Sequence, residues 1–237
     1  MITDTKGKEY TACIGNFDGV HLGHQALIQK TLDISSGTDT RPLVITFVPH
    51  PSQVLNKDKD IKLLTTVSQR DSLFEHYGIH EQLQIPFVEE FYRKSPDEFI
   101  EYLNACNIHT LVCGFDWTFG CRGEGTVEYL TASNLRNFNV EVVEPVTYRK
   151  SKISSTRIIN DIKAGKIKQA LKMLGHSYVA GCVTDNDKLI SDDNVLPEKG
   201  TYQCRFNGMT TLINVNSCTL QFKDVRFIEF IDRFSDC

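Results

Sequence analysis

The amino-acid sequence predicts an α/β protein, a doubly wound and mainly parallel sheet followed by a small antiparallel β appendage. Two observations carry that prediction. Short apolar runs alternate with helical patterns as far as Pro145, and repeated β-α order implies parallel strands joined by crossover helices. Beyond Tyr178 only short β-type runs remain, the pattern of hairpin-connected antiparallel strands.

In chain order, Tyr10 to Ile14 is a buried-strand candidate ending at Gly15, and Leu22 to Leu32 has helical spacing. Pro42 to Val48 is a second strand candidate. Residues 49 to 66, polar and interrupted by Pro49 and Pro51, read as a long loop. Thr66 to Tyr77 is predicted helical and stops at Gly78; Gln82 to Phe87 is a third strand. Ser95-Pro96-Asp97-Glu98 is a capping box with proline at the first helical position, opening a helix to about Cys106. A strand from Thr110 to Cys113, a glycine-rich loop to Gly125, a helix from Thr126 to Asn137 and a strand from Val140 to Val143 complete the alternation. Two helices follow, Ser154 to Ala164 and Ile167 to Leu174, each closed by glycine. The β-type runs then lie at 178–184, 201–206, 210–215, 219–222 and 225–231. The predicted organisation is a first domain over 1–176 and a reduced β domain over 177–237.

A chain of 237 residues with 41% hydrophobic and 24% charged residues has the composition of an ordinary globular protein. Its formal net charge of −4 and the lack of a Lys/Arg run exclude an electrostatic footprint for nucleic acid. No apolar stretch approaches a membrane span, and Met1 to Lys6 has no apolar signal core, so a cytoplasmic protein is expected. None of the 8 cysteines forms a Cys-x-x-Cys pair, which disfavours a zinc knuckle and predicts reduced, mostly buried thiols. The sequence designates no metal ligands and leaves the oligomeric state open.

The segment Gly15-Asn16-Phe17-Asp18-Gly19-Val20-His21-Leu22-Gly23-His24 sits where a buried strand hands over to a helix. Its glycines let backbone approach a ligand, and the helix start offers unpaired N–H groups and a positive dipole end, an anion site. His21 and His24 are three apart, which on a helix puts both rings on one face, able to donate to phosphate oxygens even when neutral. The plainer alternative is a glycine turn with two capping histidines; strand, turn and helix start in register favour the phosphate site. Positioned donors of this kind do most of the work in phosphoryl and nucleotidyl transfer.

This decapeptide resembles the signature of the prokaryotic FAD synthetase family, the bifunctional riboflavin kinase/FMN adenylyltransferases. Three further segments resemble family motifs in the same order: Ile45-Thr46-Phe47-Val48-Pro49-His50-Pro51, Gly114-Phe115-Asp116-Trp117-Thr118-Phe119-Gly120, and Lys152-Ile153-Ser154-Ser155-Thr156-Arg157. The resemblance implies a Rossmann-like fold of nucleotidyltransferase type and the reaction FMN plus ATP giving FAD plus pyrophosphate, with Mg²⁺ on the leaving group. By the same resemblance His21, His24, Ser155 and Thr156 are catalytic. Gly15, Asn16, Phe17, Asp18, Gly19, His50, Ser154 and Arg157 would contact the nucleotide, and Gly114, Asp116 and Phe119 the flavin. Asp18 equally suits a turn, Ser154 plain capping and His50 a rigid proline turn; Phe115 and Trp117 are expected to pack into the core.

Two departures qualify the resemblance. The family pattern Ile-Ser-Ser-Thr-x-x-Arg ends here on Ile159, and Arg157 lies two residues earlier, about 200° around a helix. After Gly181 no Gly-Phe-Pro-Thr-Ala-Asn kinase segment follows, so 177–237 is expected to be a remnant of the riboflavin kinase barrel without that activity. A nucleotidyltransferase acting on another substrate, and a non-catalytic flavin- or nucleotide-binding paralogue, remain open at this point.

Overall fold

A computed structural model describes residues 9–56, 61–186, 188–191, 193–217 and 226–234. The chain forms two compact units: one of Met1–Phe17, Gly23–Lys59 and Asp71–Val146, the other of Asp18–Leu22, Asp60–Arg70 and Thr147–Cys237. The path leaves the first unit and returns twice. The five residues Asp18–Leu22 belong to the second unit although the strand before them and most of the helix after them belong to the first.

The first unit is a parallel sheet of β1 (Tyr10–Ile14), β2 (Arg41–Val48), β3 (Gln82–Pro86), β4 (Ile108–Gly114) and β5 (Asn139–Val143) in the order β3-β2-β1-β4-β5. That order reverses direction at β1 and β4, the switch point outside whose carboxyl ends doubly wound sheets bind ligands. β1 is buried at every position and β2 from Leu43 to Phe47, as central parallel strands covered on both faces must be. The core gathers Tyr10, Ala12, Ile14, Leu43, Ile45, Ile85, Phe99, Leu103, Leu111 and Leu130 with their neighbours.

The crossovers are α1 (Leu22–Thr38), α2 (Pro51–Leu55), α3 (Val67–His76), α4 (Glu89–Tyr92), α5 (Pro96–Asn104) and α6 (Val127–Ala132). α5 begins with the predicted capping box: Ser95 Oγ accepts from Glu98 N at 3.2 Å, and Glu98 Oε2 accepts from Ser95 N at 2.7 Å. Other boundaries differ from expectation. α1 continues six residues past Leu32, because Thr31, Ser36 and Thr38 turn their hydroxyls back onto carbonyls of the preceding turn and so satisfy themselves within the helix. α2 interrupts the loop expected over 49–66. Pro51 supplies its first turn and His50 its cap, the proline favouring a helix start there as readily as a loop. α6 stops at Ala132 rather than Asn137. Ser133 is extended, and Arg136 fastens the following loop by donating to Phe138 O at 2.7 Å and Thr131 O at 3.2 Å.

The second unit contains a two-residue hairpin, β6 (Thr147–Tyr148) and β7 (Ser151–Lys152), then α7 (Ser155–Lys163) and α8 (Ile167–Leu174). An antiparallel sheet follows, made of β8 (Tyr178–Asp185), β9 (Lys188–Ile190), β10 (Thr201–Phe206), β11 (Met209–Asn214) and β12 (Arg226–Arg233), ordered β11-β10-β12-β8-β9. Alternation is clean in β8, where Tyr178, Ala180 and Cys182 are buried, and it matches Tyr202 and Cys204 of β10 and Ile228 and Phe230 of β12. α8 packs its Ile167, Ala170, Met173 and Leu174 stripe inward and against β12, and Gly175 closes it in the left-handed conformation at φ 76°. The hairpin β6–β7 and strand β9 are additions to the predicted elements. The run expected at 219–222 falls outside the described residues. Among those residues no helix is long and apolar enough to cross a membrane.

The six cysteines described are all free thiols; Cys13, Cys113, Cys182 and Cys204 are buried. Burial pushes the Cys13 and Cys113 thiols up to about 12, so both sit in the sheet as inert apolar filler.

Candidate functional site

In the first unit, parallel pairing places three motif segments at one edge of the sheet. β1 is in register with β2 (Ile14 opposite Ile45) and with β4 (Cys13 opposite Val112). The residues that follow each strand, Gly15 to Phe17, Pro49 to Pro51 and Gly114 to Asp116, therefore share the carboxyl edge where this fold class binds ligands. Gly15 N donates to Ile45 O at 3.1 Å, carrying the ladder one residue beyond β1. Asn16 is exposed, and its carbonyl accepts from Thr46 Oγ1 at 3.4 Å. Phe17 is fully buried at φ 55°, its ring edge-on to Phe74 at 5.3 Å and tilted against His24 at 5.0 Å. The backbone at 17 thus accepts a left-handed conformation that is costly for a bulky residue, and the aromatic packing offsets it.

His24 stands half-buried on the first turn of α1, where the unpaired N–H groups of the helix start lie. His21 does not share that helix. It is the residue immediately before α1. Before it comes the 3-10 turn Asp18–Val20, with φ 77° at Gly19 and 35° at Val20, and α1 starts at Leu22 as the spacing predicts.

That turn belongs to the second unit and is held there by side chains distant in sequence. Asp18 is 4% exposed, and its Oδ1 accepts from Leu64 N at 2.8 Å and Thr65 N at 3.1 Å. The carboxylate therefore ties down the 64–65 loop. Burial lifts its pKa from the usual carboxylate range to about 6, against those hydrogen bonds and the nearby Arg70 charge. Gly19 is required by space as well as by φ, since a Cβ there would stand 2.5 Å from Leu64 Cδ1. His21 is 6% exposed; burial chiefly, with lesser repulsion from Lys152 and His176, lowers its pKa to about 4. It is thus a neutral imidazole at neutral pH, able to donate one N–H.

Ser154 caps α7, its Oγ accepting from Arg157 N at 3.3 Å, and Ser155 Oγ donates to Asp18 O at 2.9 Å. The α7 start is thereby fastened to the 18–20 turn within the same unit. Thr156 is exposed on the first turn of α7. Arg157 turns elsewhere. Its guanidinium donates to Ser151 O at 2.8 Å, Lys152 O at 3.1 Å and Tyr148 O at 3.0 Å, and lies over the Tyr148 ring at 5.7 Å. In this structure the Arg157 fork secures the β6–β7 hairpin rather than facing an open anion position. His50 likewise has a local task as the α2 cap, its Nδ1 accepting from Ser52 N at 3.2 Å.

The loop after β4 overturns one sequence expectation, the burial of Phe115, and shows the setting of Phe119. Phe119, expected to meet the flavin, is 5% exposed and built into the core, its ring 5.3 Å from Phe99 and stacked on Trp117 at 4.9 Å. Gly125 is the space this ring needs, for a Cβ there would lie 2.6 Å from Phe119 Cε2. Phe115, expected in the core, is 42% exposed, because the turn after Gly114 swings it outward while Trp117 and Phe119 turn in. Asp116 is exposed beside it and Gly114 ends β4.

Sequence reasoning missed Thr65, Arg70 and His176. Thr65 Oγ1 accepts from Gly19 N at 3.0 Å, Arg70 supplies the buried charge near Asp18, and His176 Nε2 meets Gly19 O at 2.9 Å. Their partners lie tens of residues away, and no local pattern marks them. Among the described residues no group of three or more His, Cys, Asp or Glu side chains could hold a metal ion.

A family model described as FAD synthetase matches residues 3–157. A bifunctional riboflavin kinase/FMN adenylyltransferase from Listeria monocytogenes is 34% identical over 216 residues, 84% of this chain and 69% of that protein. The corresponding protein of Bacillus subtilis is 35% identical over 79% of this chain, which spans 60% of it. A FAD synthetase from Listeria monocytogenes is 31% identical, with 80% of this chain and 78% of that protein covered. Among solved structures, one described as a macrolide-efflux protein from Streptococcus pneumoniae superposes with a TM-score of 0.82 at 26% identity. That match covers 95% of this chain and 94% of that one.

Proposed function

Because the chain belongs to the FAD synthetase family, we propose that it is an FMN adenylyltransferase. It moves AMP from ATP to FMN and, within these 237 residues, carries no riboflavin kinase activity. The observation that supports this reading is His24 on the first turn of α1, the helix that follows β1 at the switch point of the parallel sheet. That arrangement supplies preorganised donors where phosphate charge must be stabilised.

In the reaction an oxygen of the FMN phosphate attacks the α-phosphorus of ATP. The bond from that phosphorus to the bridging oxygen breaks, and pyrophosphate leaves. In the first unit His24 and the N–H groups at the start of α1 are the donors for phosphate oxygens; in the second unit His21 and the N–H groups at the start of α7 are donors of the same kind. Thr156 is placed to donate from the first turn of α7. Ser155, whose hydroxyl is engaged by Asp18 O, fixes the turn's backbone. Gly15 and Asn16 face the nucleotide through the backbone; Gly114, Asp116 and Phe115 offer the flavin a carbonyl edge, an acceptor and an exposed ring. Magnesium enters as part of the substrate complex with ATP, held chiefly by phosphate oxygens, a mode in which Mg²⁺ needs only one or two protein ligands. The proposed division keeps a catalytic part over 1–176 and a reduced β part over 177–237 in a cytoplasmic enzyme, although the compact unit that holds the β part already takes in the chain from Thr147.

Purified protein incubated with ATP, Mg²⁺ and FMN yields FAD and pyrophosphate in equal amounts. Riboflavin in place of FMN yields no FMN. Absence of FAD at micromolar enzyme sinks the reading. A second reading, a paralogue that binds flavin or nucleotide without turnover, is favoured by Ile159 standing at the family's arginine position while Arg157 is committed to the hairpin. Saturable FMN binding without FAD formation distinguishes it.

A further inference from the structure

We propose that His176 and Thr65 are positioning residues for the transfer, which grip the two polar backbone atoms of Gly19 and thereby set the placement of His21. The proposal rests on the adenylyltransferase reading for its consequence in rate. Gly19 sits at φ 77°, two residues before His21, so a rotation of its peptide units redirects the imidazole. Its N–H donates to Thr65 Oγ1 at 3.0 Å and its carbonyl meets His176 Nε2 at 2.9 Å. A carbonyl oxygen only accepts, so the imidazole is the donor in this contact. Both partners are side chains, one from the loop before α3 and one from the residue just after Gly175, the left-handed close of α8.

The surroundings make the grip rigid. Thr65 N is itself bonded to Asp18 Oδ1, and Leu64 and Leu174 line the position where Gly19 lacks a side chain, 2.5 Å and 3.3 Å from an ideal Cβ. The carbonyl just before Gly19, that of Asp18, accepts from Ser155 Oγ. The peptide units on either side of the glycine are thus fixed by Thr65, His176 and Ser155. A donor moved by even 1 Å loses much of its effect on a transition state, which gives such a grip a kinetic consequence out of proportion to its hydrogen bonds.

The test uses the full chain with His176→Leu, His176→Gln, Thr65→Val and Thr65→Ser. Glutamine can still donate to Gly19 O, and serine can still accept from Gly19 N. Leucine and valine should lower kcat for FAD formation roughly tenfold with KM for ATP little changed, while glutamine and serine restore most of it. Equal activity in the Leu and Gln variants, or a loss in KM alone, overturns the proposal. A second readout needs no substrate: the His21 ring followed by NMR through a pH titration of the protein, its signal identified from His21→Ala. Its midpoint should rise further in His176→Leu than in His176→Gln, as a released turn lets water reach the ring. Identical midpoints in the two variants overturn the proposal, whether or not the wild-type protein makes FAD. Absence of FAD from wild type with the expected NMR difference instead sinks only the adenylyltransferase reading.

Discussion

The 18–20 turn and the 114–125 loop both carry motif residues, and they are held in opposite ways. The turn is fixed by polar contacts from Leu64, Thr65, Ser155 and His176, each far away along the chain. The loop is fixed largely by its own rings and near neighbours, with Phe119 stacked on Trp117 and bridged to Gly125. A hydrogen-bonded turn can orient a donor to within a fraction of an ångström. An aromatic plug holds a loop in place while Phe115 and Asp116 stand exposed on it. The proposed phosphate donors thus adjoin the polar turn, and the proposed flavin contacts the aromatic loop.

Truncating the plug should show the largest effect. Phe119→Ala removes a ring that is 95% buried and is expected to cost about 3–5 kcal/mol of stability, read from the urea unfolding midpoint. A shift below about 1 kcal/mol would show that the loop does not depend on that ring. On the other side of the comparison, His24→Ala should leave stability nearly intact while lowering kcat roughly a hundredfold, the usual loss for a transition-state donor. An unchanged rate would return His24 to a role in packing against Phe17.

The turn also has a pH signature. The Asp18 pKa is raised to about 6, so its contribution to stability is complete below the unfolded value near 3.8 and is lost as pH rises through 6. The His21 pKa is lowered to about 4, so its contribution is present above the ordinary 6.5 and is lost as pH falls through 4. Between about 4 and 6 the two oppose each other. Asp18→Asn removes the first and leaves the second, so unfolding midpoints of that variant should fall more steeply than wild type on acidification across this window. Parallel curves would show that Asp18 does not titrate there. The smallest effect is expected from Phe115→Ala: a several-fold rise in KM for FMN at unchanged thermal midpoint, in line with about 0.5–1.5 kcal/mol for a stacked ring pair. No change in KM would remove Phe115 from the flavin's surroundings.

Much of the fold was legible because it is encoded locally. The buried runs of β1, β2 and β4, the Ser95 capping box and the glycine closing α8 each declare themselves within a few residues. The β6–β7 hairpin did not, because its turn places Arg149 and Lys150 at φ 52° and 63°, where the legible signal is Asn-Gly. In the candidate site, residue types were legible and their environments were not. Alternation alone could not tell that the chain turns after Gly114, leaving Phe115 exposed and Phe119 buried. Nor could spacing show that His21 follows a 3-10 turn whose form depends on Leu64, Thr65 and His176.

Asn194 gives the interleaved path a consequence in time. Buried within the second unit, it donates to Leu64 O at 3.1 Å and to Gln69 Oε1 at 3.0 Å, accepts from Gly181 N at 2.9 Å, and pairs with Leu63 in an isolated bridge. Leu64 and Thr65 are the residues whose backbone N–H groups hold Asp18. As the ribosome extends the chain, every motif residue has been synthesised by Arg157, yet the brace beneath the first motif awaits an asparagine 37 residues later. A nascent chain therefore owns the letters of its first motif well before it owns the contacts that fix the 18–20 turn.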